Sequence, residues 1–129
     1  MFDEQEYLSR PDALTFSDAL QTYNAIHTPQ SVNDSDFQEL WRDVVTAALK
    51  YVDARNQWLL MSPSERVEYD QKRTLSHNNY LTTLSILGRY CHNQWQSTWL
   101  ETMGDLNSNR KFVGDFAGYI VLFGSLAAR

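Results

Sequence analysis

The apolar positions of this chain change their pattern along its length, and the changes mark its elements. Ala13, Phe16, Leu20, Tyr23 and His27 recur every three or four residues, with Ala19 and Ile26 widening the stripe, which predicts an amphipathic helix. Ser9 followed by Pro11 and Asp12 reads as its start, with proline in the first turn and an acid against the helix dipole. Thr28-Pro29 stops it, and residues 30–34 (QSVND) read as a polar connection. Ser35 with Gln38 then forms a capping-box pair. Beyond it Phe37, Leu40, Trp41, Val44, Val45, Ala48, Tyr51 and Val52 keep the helical period. With Trp58 and Leu59 this second helix extends to Met61, about 40 Å at 1.5 Å per residue.

Ser62-Pro63-Ser64-Glu65 is the clearest local signal: serine at the N-cap, proline at the first helical position and glutamate at the third. The third helix begins strongly polar, with Val67, Tyr69 and Leu75 its only apolar residues up to Ser76. From His77 a stripe of Tyr80, Leu81, Leu84, Leu87 and Cys91 follows. Gly88 inside it costs about 1 kcal/mol relative to alanine, which predicts a close helix crossing there. Residues 92–96 read as a break. Thr98 with Glu101 caps a short helix carrying Trp99, Leu100 and Met103 and closed by Gly104, residues 105–109 form a loop, and Arg110 opens the final helix.

The last stretch, residues 112–128 (FVGDFAGYIVLFGSLAA), has one charge, Asp115, and no polar face. Three readings compete. A membrane anchor needs about 18–20 apolar residues, more than the uncharged run from Phe116 supplies. A buried strand over residues 119–123 needs a partner for its amides, and the other β-like run, residues 58–61, has no hairpin turn leading to it. A buried helix meets both constraints, with Gly114 and Gly118 as places of close approach. The expected architecture is therefore an all-α, single-domain bundle of four to five helices spanning 1–129, with the apolar C-terminal helix at its centre. Residues 1–8 (MFDEQEYL) are an acidic arm able to fray or dock.

Composition changes this picture little. The chain has 129 residues, long enough for a core without disulfides, and its 13% aromatic content with four tryptophans supplies large packing surfaces. Three prolines and five glycines favour long elements. Charge is uneven. Residues 1–70 carry 13 acidic and 5 basic side chains, net −8, whereas residues 71–129 carry 3 and 6, net +3, giving −5 for the whole. That balance argues against general affinity for nucleic acid, whose only candidate contacts are Lys72-Arg73 and Arg110-Lys111. It also lets opposite halves face each other within or between copies. A single cysteine, Cys91, fits a reducing compartment, and the acidic start lacks the pattern of a signal peptide, so a cytoplasmic location is expected.

Candidate chemistry centres on residues 72–79 (KRTLSHNN). Arg73 and His77 lie four apart and share a helix face, an arrangement able to hold a phosphate and move a proton, with Asn78 alongside. Arg73 with His77 resembles the arginine–histidine motif of HEPN-type helical ribonucleases, which places four to six residues between the two where this chain has three. Ser76-His77-Asn78 is similar in outline to the phosphoacceptor helices of histidine kinases and phosphotransfer bundles, with Asn78 where an acid usually follows. Those resemblances imply a ribonuclease or a phosphoryl acceptor centred on His77.

The competing reading makes His77 a structural residue where the polar and apolar halves of its helix meet. His77 and His92 stand about 22 Å apart on a continuous helix, too far to share a metal, and Cys91 lies on the apolar stripe, so neither metal nor cofactor is expected. No Walker A, G-x-S-x-G, G-x-G-x-x-G, H-E-x-x-H or EF-hand pattern occurs. The sequence thus favours a non-catalytic interaction or regulatory module, partnered with another protein or with itself through the helix that starts at Ser62.

Overall fold

A computed structural model describes residues 15–103 and 110–127. All six elements among them are helices, four long and two of a single turn: α1 (Phe16–Ile26), α2 (Pro29–Val32), α3 (Ser35–Leu60), α4 (Pro63–Trp95), α5 (Trp99–Thr102) and α6 (Arg110–Ala127). The chain is therefore all-α. The expected N-terminal arm, the helix start at Ser9, the closure at Gly104 and the loop at 105–109 lie outside the described residues.

Local chemistry sets the boundaries. The Thr15 hydroxyl accepts from the Asp18 amide at the start of α1, and the His27 amide closes the helix on the Tyr23 carbonyl. The connection at 30–34 is not simply polar coil. Thr28 and Ser31 form a reciprocal capping box around Pro29, winding one further turn as α2, and the buried Ser31 hydroxyl donates to the Ile26 carbonyl at 2.8 Å. One serine thus satisfies the end of one helix and the start of the next. The N-cap of α3 is Asp34, not Ser35: its carboxylate accepts from the Phe37 amide at 2.8 Å, a stronger, charge-assisted bond than a hydroxyl provides. Ser62 caps α4 as its sequence predicts, with Glu65 reaching back to the Ser62 amide. That helix does not break at His92; it continues to Trp95 and stops at Gln96, whose left-handed backbone (φ 56°) ends the hydrogen-bond ladder. Thr98 occupies the N-cap of α5 without a side-chain hydrogen bond, so the expected Thr98–Glu101 cap does not form.

Helices α3 and α4 make a long antiparallel hairpin joined at Met61 and Ser62. Their register is visible in ring contacts: Phe37 meets Trp95, Tyr51 stacks on Tyr80, and Trp58 meets Arg73. Helix α6 packs along α3, and α1 lies over α6 through Phe16 on Tyr119 and Phe123. Every residue from 113 to 120 is buried, as are Leu122 and Phe123. The segment 119–123 is helical, and no described helix is long and apolar enough to cross a membrane.

Gly114 and Gly88 mark close approaches, with one change of neighbour. A methyl group on Gly114 would meet the Tyr51 hydroxyl at 3.0 Å, as expected of an α6–α3 crossing. On Gly88 it would overlap the Leu100 side chain at 2.6 Å, so the space is taken by the single-turn α5 and not by a crossing long helix. Asp115 is fully buried, with Arg55 Nη1 of α3 3.7 Å from its carboxylate. From the other side the Tyr80 hydroxyl of α4 donates to the Val113 carbonyl at 3.1 Å. These two polar contacts fix α6 against both arms of the hairpin. Arg55→Met, which keeps the aliphatic stem but removes the cation, should destabilise the fold by about 1–3 kcal/mol in urea titration. An unchanged midpoint would show that the pair has no part in holding α6.

Candidate functional site

The three candidate residues of the KRTLSHNN segment sit in the middle of α4, placed by the strong cap at Ser62 and the uninterrupted helix behind it. Arg73 and His77 share the face turned toward α3, as their spacing predicts. What they meet there is a matching pair, Trp58 and Tyr51, seven residues apart on one face of α3. The Arg73 guanidinium lies 4.7 Å from the centre of the Trp58 ring and bonds Asp70 at 2.9 Å. Arg66 stacks on the same indole at 4.5 Å and donates to the Trp58 and Leu59 carbonyls, capping the end of α3. The tip of the hairpin is thus held by two arginines on one tryptophan, with Tyr69 bonded to Gln57 beside them.

His77 is only 4% exposed, its ring packed edge-on to Tyr51 at 5.2 Å, one layer above the Tyr51–Tyr80 stack. Asn78 is about 100° further round the helix and exposed. Arg73 and His77 therefore share a face but not a cleft, and Asn78 is turned away from both. A general base or phosphoryl acceptor must reach its substrate within hydrogen-bond distance. A buried imidazole between two helices does not offer that access.

The other histidines are equally dispersed. His92 is exposed near the Ser97 carbonyl and Glu101, a continuous stretch of helix away from His77. Among the described residues no group of three His, Cys, Asp or Glu side chains could hold a metal ion. Cys91 is buried, and burial raises its thiol pKa above the ordinary value, so the thiol stays protonated and a poor nucleophile.

Two features escaped the sequence. One is an aromatic box around His27, built from Tyr23 stacked at 4.0 Å and from Trp41 and Phe37 set edge-on at 4.3 and 5.6 Å. Its members come from two helices, and nothing in the periodicity separates them from ordinary core. The other is a cavity of about 190 Å³ between the α1–α2 junction and the end of α4, with Ile26, Cys91 and Trp95 among its walls. It required α4 to run past His92. Near it, the Tyr90 hydroxyl bonds Asp34 at 2.8 Å. Burial and the neighbouring carboxylate push that phenol up to about 12, and the bonds from Phe37 and Tyr90 hold Asp34 below the usual range. This pair ties the end of α4 to the start of α3. No protein family, characterised protein or solved structure matches the chain.

Two measurements follow from these placements. His77→Ala should lower stability by about 1–3 kcal/mol, since it empties a filled position between α3 and α4; an unchanged unfolding midpoint would return His77 to the functional candidates. Burial lowers the His27 pKa below 6.5 despite its bond to the Tyr23 carbonyl. The unfolded chain therefore binds this proton more tightly than the folded one. Stability is complete above the unfolded value and falls as pH drops through and below it. His27→Phe should flatten the stability profile between about pH 7.5 and 5.5; a slope as steep as wild type would assign the effect elsewhere.

Proposed function

We propose that this chain is a non-catalytic interaction module that works by presenting the α3–α4 hairpin to another protein. The observation that carries this reading is where large apolar side chains remain uncovered. Leu60 is 88% and Val67 79% exposed at the hairpin tip, and Leu49, Leu59, Leu75 and Ile86 are exposed along its two helices. Isolated exposed leucines are ordinary, but apolar groups concentrated at the end of a projecting hairpin are characteristic of contact surfaces. The tip is also stiffened: the Ser62 box and the two arginines on Trp58 hold its shape before any partner arrives. Preorganisation of that kind lowers the entropic cost of binding.

The alternative, a ribonuclease or phosphoryl acceptor built on His77, finds no support in a buried imidazole and an arginine committed to Trp58 and Asp70. The single buried thiol and the net charge of −5 fit a partner protein in a cytoplasmic setting better than a nucleic acid.

The test is site-directed. A photo-crosslinker in place of Val67 should capture a defined protein, and Leu60→Asp should abolish the capture without changing the unfolding midpoint, because Leu60 contributes almost nothing to the core. Capture that is identical with and without Leu60→Asp would contradict the assignment of the tip as the contact surface.

A further inference from the structure

The outward face of α4 carries a second feature that the hairpin tip does not explain. Residues 74–88 (TLSHNNYLTTLSILG) contain no Asp, Glu, Lys or Arg, where a chain that is 21% charged would place about three. The inner side of this stretch is core: His77, Tyr80, Leu81, Leu84 and Leu87 are all buried. The outer side, which faces solvent and would ordinarily carry the charge, is Leu75, Asn79, Thr82 and Ile86, with Asn78 exposed at its edge. Leu75 is 61% and Ile86 46% exposed. The four follow spacings of four, three and four, the seam spacing of paired helices, and the two apolar ends lie about 16 Å apart within about 20° of one line. Interface centres are depleted of charge in this way, whereas solvated helix faces are not.

The order of residues along this stripe selects the occupant. Read in either direction it runs apolar, polar uncharged, polar uncharged, apolar. A twofold axis between Asn79 and Thr82 therefore sets Leu75 against Ile86 of a second copy, and Asn79 against Thr82, on both sides at once. Self-complementarity about an axis is what a two-fold interface requires. Thr82 donates its hydroxyl proton to the Asn78 carbonyl at 3.0 Å, which leaves its oxygen lone pairs to accept from an asparagine amide. The ends add direction. Glu68 and Arg89 are both exposed on this face, 21 residues and about 31 Å apart, too distant to pair within one helix. In that register Arg89 faces Lys72 of the second copy, with Glu68 of that copy one turn, about 6 Å, beyond and within reach of the arginine, while a parallel partner sets Glu68 against Glu68 and Arg89 against Arg89. Lys72 also falls at that rim, with its ammonium over its own Tyr69 ring at 5.2 Å.

We infer that α4 pairs antiparallel with α4 of a second copy of this chain across Leu75, Asn79, Thr82 and Ile86. The inference rests on reading the chain as an interaction protein but uses a different face from the hairpin tip. One helix face some 26 residues long offers roughly 400 Å² per partner, about half of what a standard interface buries. The pair is therefore a weak, reversible dimer.

Sedimentation of the full chain from about 5 to 500 µM should show a concentration-dependent dimer. Leu75→Glu with Ile86→Glu should leave a monomer with an unchanged unfolding midpoint. A wild-type chain that stays monomeric throughout, or a double variant that dimerises as well as wild type, would overturn the inference. Orientation is read separately: Asn79→Cys chains mixed with Thr82→Cys chains should give the mixed disulfide under mild oxidation, against the buried Cys91 as background. Homotypic cross-links that form as readily from Asn79→Cys alone would overturn the antiparallel arrangement. A monomeric chain that still captures a protein through Val67 would sink this inference and leave the proposed function standing.

Discussion

A helix that is apolar on every side has to be enclosed, and in this protein a buried charge dictates how. Asp115 sits in the interior of α6, where an unpaired carboxylate would cost several kcal/mol in desolvation. Arg55 stands beside it, which sets α6 at one height along α3. The preceding residue, Gly114, lets Tyr51 approach from one turn before Arg55 on α3, and Tyr51 in turn supports Tyr80, whose hydroxyl reaches the Val113 carbonyl. Helix α6 is thus gripped at residues 113–115 by both arms of the hairpin. From there onward it needs only shape: Phe116, Ile120, Leu122 and Phe123 fill the core, with Phe16 and Tyr23 of α1 laid across them.

The same grip accounts for the most suggestive motif in the chain. An arginine and a histidine four residues apart look like chemistry because the spacing puts them on one face. Here that face is the hairpin interior, and the partners are Trp58 and Tyr51, themselves spaced to share a face of α3. Spacing alone does not distinguish a cleft from a helix–helix seam; the side chains opposite decide. Where α6 packs, α4 turns His77, Tyr80 and Leu84 inward. Beyond the start of α6 the hairpin interior is carried by arginines over an indole, a way of covering an aromatic ring that tolerates solvent at the edge.

Much of the fold was legible because its signals are local. The apolar run of α6, the Ser62–Glu65 box and the period of α3 each follow from a few neighbouring residues. The less legible parts depend on competition. Asp34 outcompetes Ser35 as a cap because it also receives Tyr90, 56 residues away. Residues 30–34 wind a turn because Ser31 finds the Ile26 carbonyl. Helix α4 outlasts the expected break at His92 because its last turn is held by Trp95 on Phe37 and Tyr90. The candidate site was legible only as a set of residue types: Arg73, His77 and Asn78 are where periodicity puts them, but the direction of access depends on α3.

Helix α6 is the thermodynamic centre and the hairpin tip its periphery, and native-state hydrogen exchange separates the two. Amides of residues 113–123 should exchange only through global unfolding, at the same free energy as those of residues 44–52 in α3, while residues 58–76 open at distinctly lower cost. If instead α6 exchanges through local opening, at a lower free energy than the hairpin tip, the centre of this protein lies in the α3–α4 hairpin and not in the helix it encloses.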